Sequence, residues 1–277
     1  MAHPAAVKTQ QEAHRVSGRF WFFLVFYPVV FAAWLLLYLW SREHLSAVNS
    51  SGLSGYLLLL DPATLAALCL APAEPASLPS IIAMWSLMSL AMMLPTAVPM
   101  VTAYADMSAS QPARIPRHHL WIFIGGYLSV WLGFSICAAG MQFLLAQWRI
   151  VTEHGLSISP PLTIGLLTVA GLYQFTALKA SCLTKCRSPL GFFMSLWREG
   201  AAGAYRMGAR HGAHCLGCCW ALMLLAFAGG TMNIAWMGIA TVLMAVEKLP
   251  AIGRYITKPL GVLLLCLAAY LIFATLN

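Results

Sequence analysis

An all-α polytopic membrane protein with about seven transmembrane helices is the fold class this sequence predicts, on three observations. Apolar residues make up 61% of the 277 and charged ones only 9%, where soluble domains carry about 25% charged residues. The mean hydropathy is +0.79, and the apolar residues fall in runs of about 20, the length a helix needs to cross a bilayer core. The polar residues lie between those runs, so no stretch is polar enough to form a separate soluble domain. The net charge of +8 is spread along the chain, which gives no patch for nucleic acid.

Residues 1–19 are polar, contain Lys8, Arg15 and Arg19, and are read as a cytoplasmic N-terminal segment. The apolar run that follows has no small-residue cleavage site, so 20–40 is an uncleaved first span rather than a signal peptide. Trp21, Tyr27, Trp34, Tyr38 and Trp40 are its interfacial aromatics. Residues 41–80 form an irregular external loop with Asp61, Glu74 and four prolines, in which 53–60 is a short interfacial piece. The first span and this loop make one unit, 20–80, and 81–277 is a helical membrane domain that carries the candidate metal-binding motifs. Its first span, 81–103, is rich in methionine and broken near the middle by Pro95 and Pro99, which cannot donate to the helix ladder. Spans at 119–146 and 161–180 follow, then a polar loop at 181–211. Within that loop the apolar segment 190–197 lies in the interface or dips back into the protein. Gly200, Gly203, Gly208 and Gly212 let the loop backbone approach other helices closely. The last spans are 213–230, 231–247 and 259–276, the first two joined by a tight turn at Gly229-Gly230.

With the N-terminus cytoplasmic, 14 of the 16 Lys and Arg residues fall on the inner side and only Arg42 and Arg149 outside, as the positive-inside rule requires. This orientation in a bacterial inner membrane puts both cysteine clusters at the cytoplasmic face, where thiols stay reduced. Metal binding or redox sensing is then a better use of them than structural disulfides.

Five of the eight cysteines fall in two clusters. One is Cys182-Leu-Thr-Lys-Cys186-Arg187, at the end of the fourth span. The other is the stretch His211 to Met223, where His211, His214, Cys215, Cys218, Cys219 and Met223 stand within thirteen residues. Cys182 and Cys186 are four apart and share a helical face, as do Cys215 and Cys219, while Cys218 is three from Cys215. Thiolate, imidazole and thioether ligands suit copper(I) and zinc. A metal held between the ends of the fourth and fifth spans would draw on Cys182, Cys186, Cys215, Cys218 or Cys219, with His214 nearby and His211 weighed below it. Cys69, Cys137 and Cys266, each alone in an apolar setting, are read as small apolar residues.

Met84, Met88 and Met92 recur every four residues and stack on one helical face, with Met93 beside them just before Pro95. Thioethers are soft, neutral ligands that need no deprotonation, so Met88, Met92, Met93 and, from the fifth span, Met223 are candidate copper(I) ligands; Met232 and Met237 of the sixth span can face the same stripe. Packing is the competing reading, since methionine fills irregular gaps in cores. A further consequence of Pro95 is a freed backbone carbonyl one turn earlier, at Ala91. Ionisable groups at membrane depth are costly, but Lys179, Glu247 and Lys248 lie at span ends and can snorkel to water. Tyr173-Gln174 is better placed to line a site. No Gly-rich phosphate loop, metalloprotease helix or nucleophile elbow occurs, so no catalytic residue is assigned.

Four motifs occur in order: Trp85-x-x-Met88-x-x-x-Met92-Met93-x-Pro95; Tyr173-Gln174 with Lys179-x-x-Cys182 and Cys186-Arg187-x-Pro189; Cys215-x-Gly217-Cys218-Cys219-Trp220-x-x-Met223; and Gly230-x-Met232-Asn233-x-x-Trp236-Met237 followed by Glu247-Lys248. Over roughly 81–250 the chain resembles a bacterial family of uncharacterised proteins described as predicted metal-binding integral membrane proteins, a domain of unknown function. The resemblance implies a helical membrane protein with suspected metal ligation, and copper handling in some members; it implies no reaction.

Three function classes stay open. The first is a membrane protein that binds copper(I) and delivers it to a membrane enzyme, or serves as accessory subunit of one. The second is a membrane thiol oxidoreductase cycling Cys182 and Cys186 against Cys215 and Cys218 or Cys219, which the cytoplasmic placement disfavours. The third is a metal-free assembly or scaffold subunit of a larger membrane complex. The partners are membrane lipid and a membrane protein or complex in each case. A membrane-impermeant thiol reagent applied to intact cells should leave Cys182 and Cys186 unlabelled; labelling of either would reverse the orientation.

Overall fold

A helix satisfies every backbone polar group within its own segment, which a bilayer would require, and the described residues are almost all helical. The structure, a computed structural model, describes residues 23–41, 77–110, 116, 118–151, 159–231 and 233–276. The N-terminal segment, residues 42–76 of the external loop with its piece at 53–60, Cys69 and Met232 lie outside the described residues, while 78–80, expected in that loop, begin a helix. Helix α1 spans Phe23–Ser41. Helix α2, Leu78–Met93, runs through a 3-10 turn at Pro95–Ala97 into α3, Val98–Ser110. Next come α4, His118–Gln147, α5, Pro160–Tyr173, and α6, Ala177–Arg187. The chain continues as α7, Pro189–Leu196, α8, Gly200–Leu224, the short α9, Ala226–Gly229, α10, Ile234–Glu247, and α11, Gly253–Leu276.

Local sequence explains most of the boundaries. Proline sits in the first turn of α2, α5 and α7, where a missing N–H costs nothing. Thr176 caps α6 by accepting from the Lys179 N–H, and Asn233 caps α10 by accepting from the Trp236 N–H. The turn expected at Gly229-Gly230 is there, with Gly230 at φ 86°, a conformation that glycine adopts without strain.

Two expectations are corrected. Among the described residues, helical stretches long and apolar enough to cross a membrane number five, or six if the α5–α6 pair, bent by 64°, counts as one broken span, rather than the seven expected. The sixth expected span is α10, only 14 residues and so about 21 Å long, short of a bilayer core. The second correction concerns 181–211, which is not a loop. It is the end of α6, all of α7 and the start of α8. Its glycines and alanines read as loop by polarity, but between membrane helices small residues let backbones approach closely. A Cβ at Gly208 would overlap the Phe123 carbonyl, and one at Gly126 the Tyr205 carbonyl. The α4–α8 pair is accordingly the most extensively packed in the fold. Helix α7 is amphipathic: Phe192 and Phe193 are buried, while Leu190 and Met194 face outward.

Helix α2 lies on α4 through polar contacts inside the apolar core. Trp85 Nε1 donates to Gln142 Oε1 at 2.8 Å, and the Ser89 and Ser135 hydroxyls meet at 2.9 Å. Pro95 breaks the ladder as expected, and the freed Ala91 carbonyl accepts from Trp34 Nε1 of α1 at 3.1 Å. Helix α11 packs mainly on α5, where Gly171 faces Leu265 and Gly261 faces Gln174 and Phe175.

Gly208→Ala should therefore destabilise the protein by about 1–3 kcal/mol through overpacking, read as a lower unfolding temperature in detergent. Gly133→Ala, which meets nothing within 4 Å, should leave that temperature unchanged.

Candidate metal centre

Helix α8 supplies the spine of the site. His211, Cys215, Cys219 and Met223 stand on successive turns of one face, and all four are buried, as is Cys218. The Cys218 thiol donates to the Cys215 carbonyl at 3.1 Å and lies 3.3 Å from Cys219 Sγ. Helix α6, packed along α8, brings Cys186 within hydrogen-bond reach of Cys218. Cys182 sits over Gly217, where a Cβ would lie 2.7 Å from its Sγ, and Tyr173 donates its hydroxyl to the Gly217 carbonyl. The two cysteine clusters thus face each other across α6 and α8. All five of these thiols are free.

Cys215 is where other helices converge. Its Sγ lies 3.2 Å from the Tyr127 hydroxyl of α4 and 3.1 Å from Lys248 Nζ at the end of α10. Tyr127 also donates to the Met93 carbonyl at 2.9 Å, one of the acceptors opened by the Pro95 break, and Lys248 donates to Thr96 Oγ1 at 2.7 Å. Lys248 therefore turns inward instead of snorkelling. Lys179 and Glu247 do the same: each is 1% exposed, and they form an ion pair at 2.8 Å. Arg187 donates through Nε and Nη2 to the Glu247 carbonyl at 2.9 and 2.6 Å. Snorkelling was expected because each side chain was taken alone; Lys179 and Glu247 neutralise each other inside, where a buried charge is held when it is paired and hydrogen-bonded, and Lys248 is held by hydrogen bonds to Thr96 and Cys215.

Deeper in the core, Met88 and Met92 of α2, Met223 of α8 and Met237 of α10 line one small cavity of about 10 Å³, with Trp236 on its wall. That is room for roughly one water-sized sphere. Met93 is buried but is not among the lining residues, and Met84 stands beside Thr231 Oγ1 at 4.0 Å. Cys137 and Cys266 are exposed on the outer surface of the helices. Gln174, at the α5–α6 bend, is buried with neither amide atom hydrogen-bonded.

His214 is half-buried, edge-on to Phe192, and in electrostatic reach of Lys185 and Arg210. The histidine close to Cys215 is His211, one turn earlier, which the sequence reading ranked second. The four-residue spacing to Cys215 was the signal that could have reversed that order. Among the described residues, no three His, Cys, Asp or Glu side chains converge on a common point for a metal ion. The thiols are turned to carbonyl, phenol, ammonium and one another. Met88, Met92, Met223 and Met237 share one cavity instead.

The buried ion pair makes a sharp test of this polar layer. Lys179→Met leaves Glu247 without its cation and should cost about 3–5 kcal/mol, measured as lost folded protein in detergent. Lys179→Met/Glu247→Met should recover most of that loss.

No curated protein and no solved structure matches the chain. A family model described as PpoB2, copper chaperone, matches residues 82–271. Every candidate ligand named above falls inside that match, which covers well over half of the 277 residues. The chain belongs to the PpoB2 family of copper chaperones.

Proposed function

We propose that this protein is an integral membrane chaperone that holds copper(I) among the soft ligands of α2, α6, α8 and α10 and hands it to a protein partner, a membrane enzyme or its complex. The observation that carries the reading is the cavity lined by Met88, Met92, Met223 and Met237, four thioethers from three helices. Thioether sulfur selects copper(I) over zinc, which favours thiolate, imidazole and carboxylate. Being neutral, four thioethers add no buried charge of their own beside a monovalent ion. Cys182, Cys186, Cys215, Cys218 and Cys219 supply further sulfur toward the cytoplasmic end, in a reducing compartment that keeps them competent. The inner membrane is the setting, with α1 and α11 turning Phe31, Leu36, Phe273 and Leu276 outward toward lipid. The functional unit is the helical domain after the external loop, 81–277.

Leucine matches methionine in volume and apolarity, so each swap should cost under about 1.5 kcal/mol. Met92→Leu/Met223→Leu should accumulate normally in the membrane yet retain less copper(I) than wild type after anaerobic loading. Met93→Leu should retain it fully. Cys218→Ser should lower retention and Cys266→Ser should not. Wild-type retention in the double leucine variant would remove the cavity as a copper site.

A further inference from the structure

The thioether cavity leaves one buried polar group of α8 without a purpose. His211 is 3% exposed, and neither Nδ1 nor Nε2 has a hydrogen-bond partner. Leaving a buried polar group unpaired costs roughly 1–3 kcal/mol, so the position calls for an explanation. The ring is also held in place. It stacks on Tyr127 with centroids 5.2 Å apart and planes 21° apart, and Phe192 meets it edge-on at 6.0 Å. The same tyrosine reaches Cys215 with its hydroxyl. One residue of α4 thus positions both the imidazole and the thiol.

We propose that His211 and Cys215 form a copper(I) entry site on the inner face of α8, and that the Lys248 ammonium holds the place of the ion until copper arrives. The proposal rests on reading the protein as a copper(I) chaperone. Residues four apart on a helix present side chains to one point, as the paired histidines of metalloprotease helices do for zinc. Imidazole and sulfur together suit copper, and copper(I) accepts as few as two ligands. The exchange balances without any redox change. The Lys248 ammonium gives up its contacts with Thr96 Oγ1 and with Cys215, held as the thiolate that the ammonium pairs, and copper takes bonds to that sulfur, which has no proton to displace, and to a His211 nitrogen. One cation leaves as one enters, so the sulfur never faces two. Lys248 follows directly on α10, and its four-carbon stem can carry the ammonium, still protonated, outward to water. From Cys215, Cys219 and Met223 continue the same face of α8 one and two turns deeper. That face leads about 12 Å along the helix to the methionine cavity.

Full-length protein in detergent, reduced and with or without one equivalent of copper(I), is treated with an amine-reactive reagent and its peptides are weighed. Lys258, exposed, should label in both states, and Lys179, in its buried pair, in neither. Lys248 should be protected without copper and label several-fold more with it. His211→Phe keeps the stacked shape but removes both nitrogens; it should weaken copper(I) binding about tenfold or more, as removal of a ligand-shell group does, in competition with a chromophoric chelator. It should also abolish the copper-induced labelling of Lys248. Unchanged labelling in wild type that does bind copper would overturn the exchange, and this comparison needs no variant to fold. Unchanged affinity in His211→Phe would make His211 a packed or hydrated side chain only. Failure of wild type to bind copper at all would instead sink the chaperone reading.

Discussion

The close contact between α4 and α8 is the constraint on which the rest of this structure depends. Gly126 and Gly208 leave no room for a Cβ at the crossing, and Gly212 comes nearly as close to Tyr127 and Val130. Small residues at a crossing let two helix backbones approach this closely. Backbones held this near put Tyr127 directly against α8. Its ring then lies on His211, and its hydroxyl reaches both Cys215 and the Met93 carbonyl. Three helices are tied at one phenol because two helices can touch.

Charge is the second constraint. Lys179, Glu247 and Lys248 all turn into the protein, where an unpaired charge would be costly. Each finds its partner on a different helix: Glu247 for Lys179, and Thr96 and Cys215 for Lys248. Arg187 fastens the end of α10 from α6 by taking the Glu247 carbonyl. This layer locks α6, α8 and α10 together around the cysteines, while the methionine cavity lies beyond it, lined by uncharged side chains.

The helical breaks serve this arrangement. Pro95 opens carbonyls at Ala91 and Met93, and both are answered by side chains from other helices, Trp34 and Tyr127. The α5–α6 bend at Tyr173–Thr176 lets Tyr173 reach the Gly217 carbonyl and starts α6 close enough to α8 for Cys182 and Cys186 to meet the second cluster. Broken spans in membrane proteins are tolerated where neighbouring helices satisfy the freed groups, and both breaks here meet that condition.

The sequence by itself determined the all-helical class, the positions of nearly every apolar segment, the break at Pro95 and the turn at Gly230. Each follows from local chemistry: run length, a missing N–H, a positive φ. It also determined the soft-ligand inventory, because cysteines and methionines at four-residue spacing share a face whatever the fold. Tertiary structure alone decided which of these side chains meet. That Met88, Met92, Met223 and Met237 line one cavity while Met93 does not, and that His211 rather than His214 stands over Tyr127, depend on helix rotation and crossing, which no single span encodes. The inward turn of Lys179, Glu247 and Lys248 was hidden for the same reason. Pairing across 68 residues outweighs the local preference of a terminal charge for water, and that balance is set only when the helices pack.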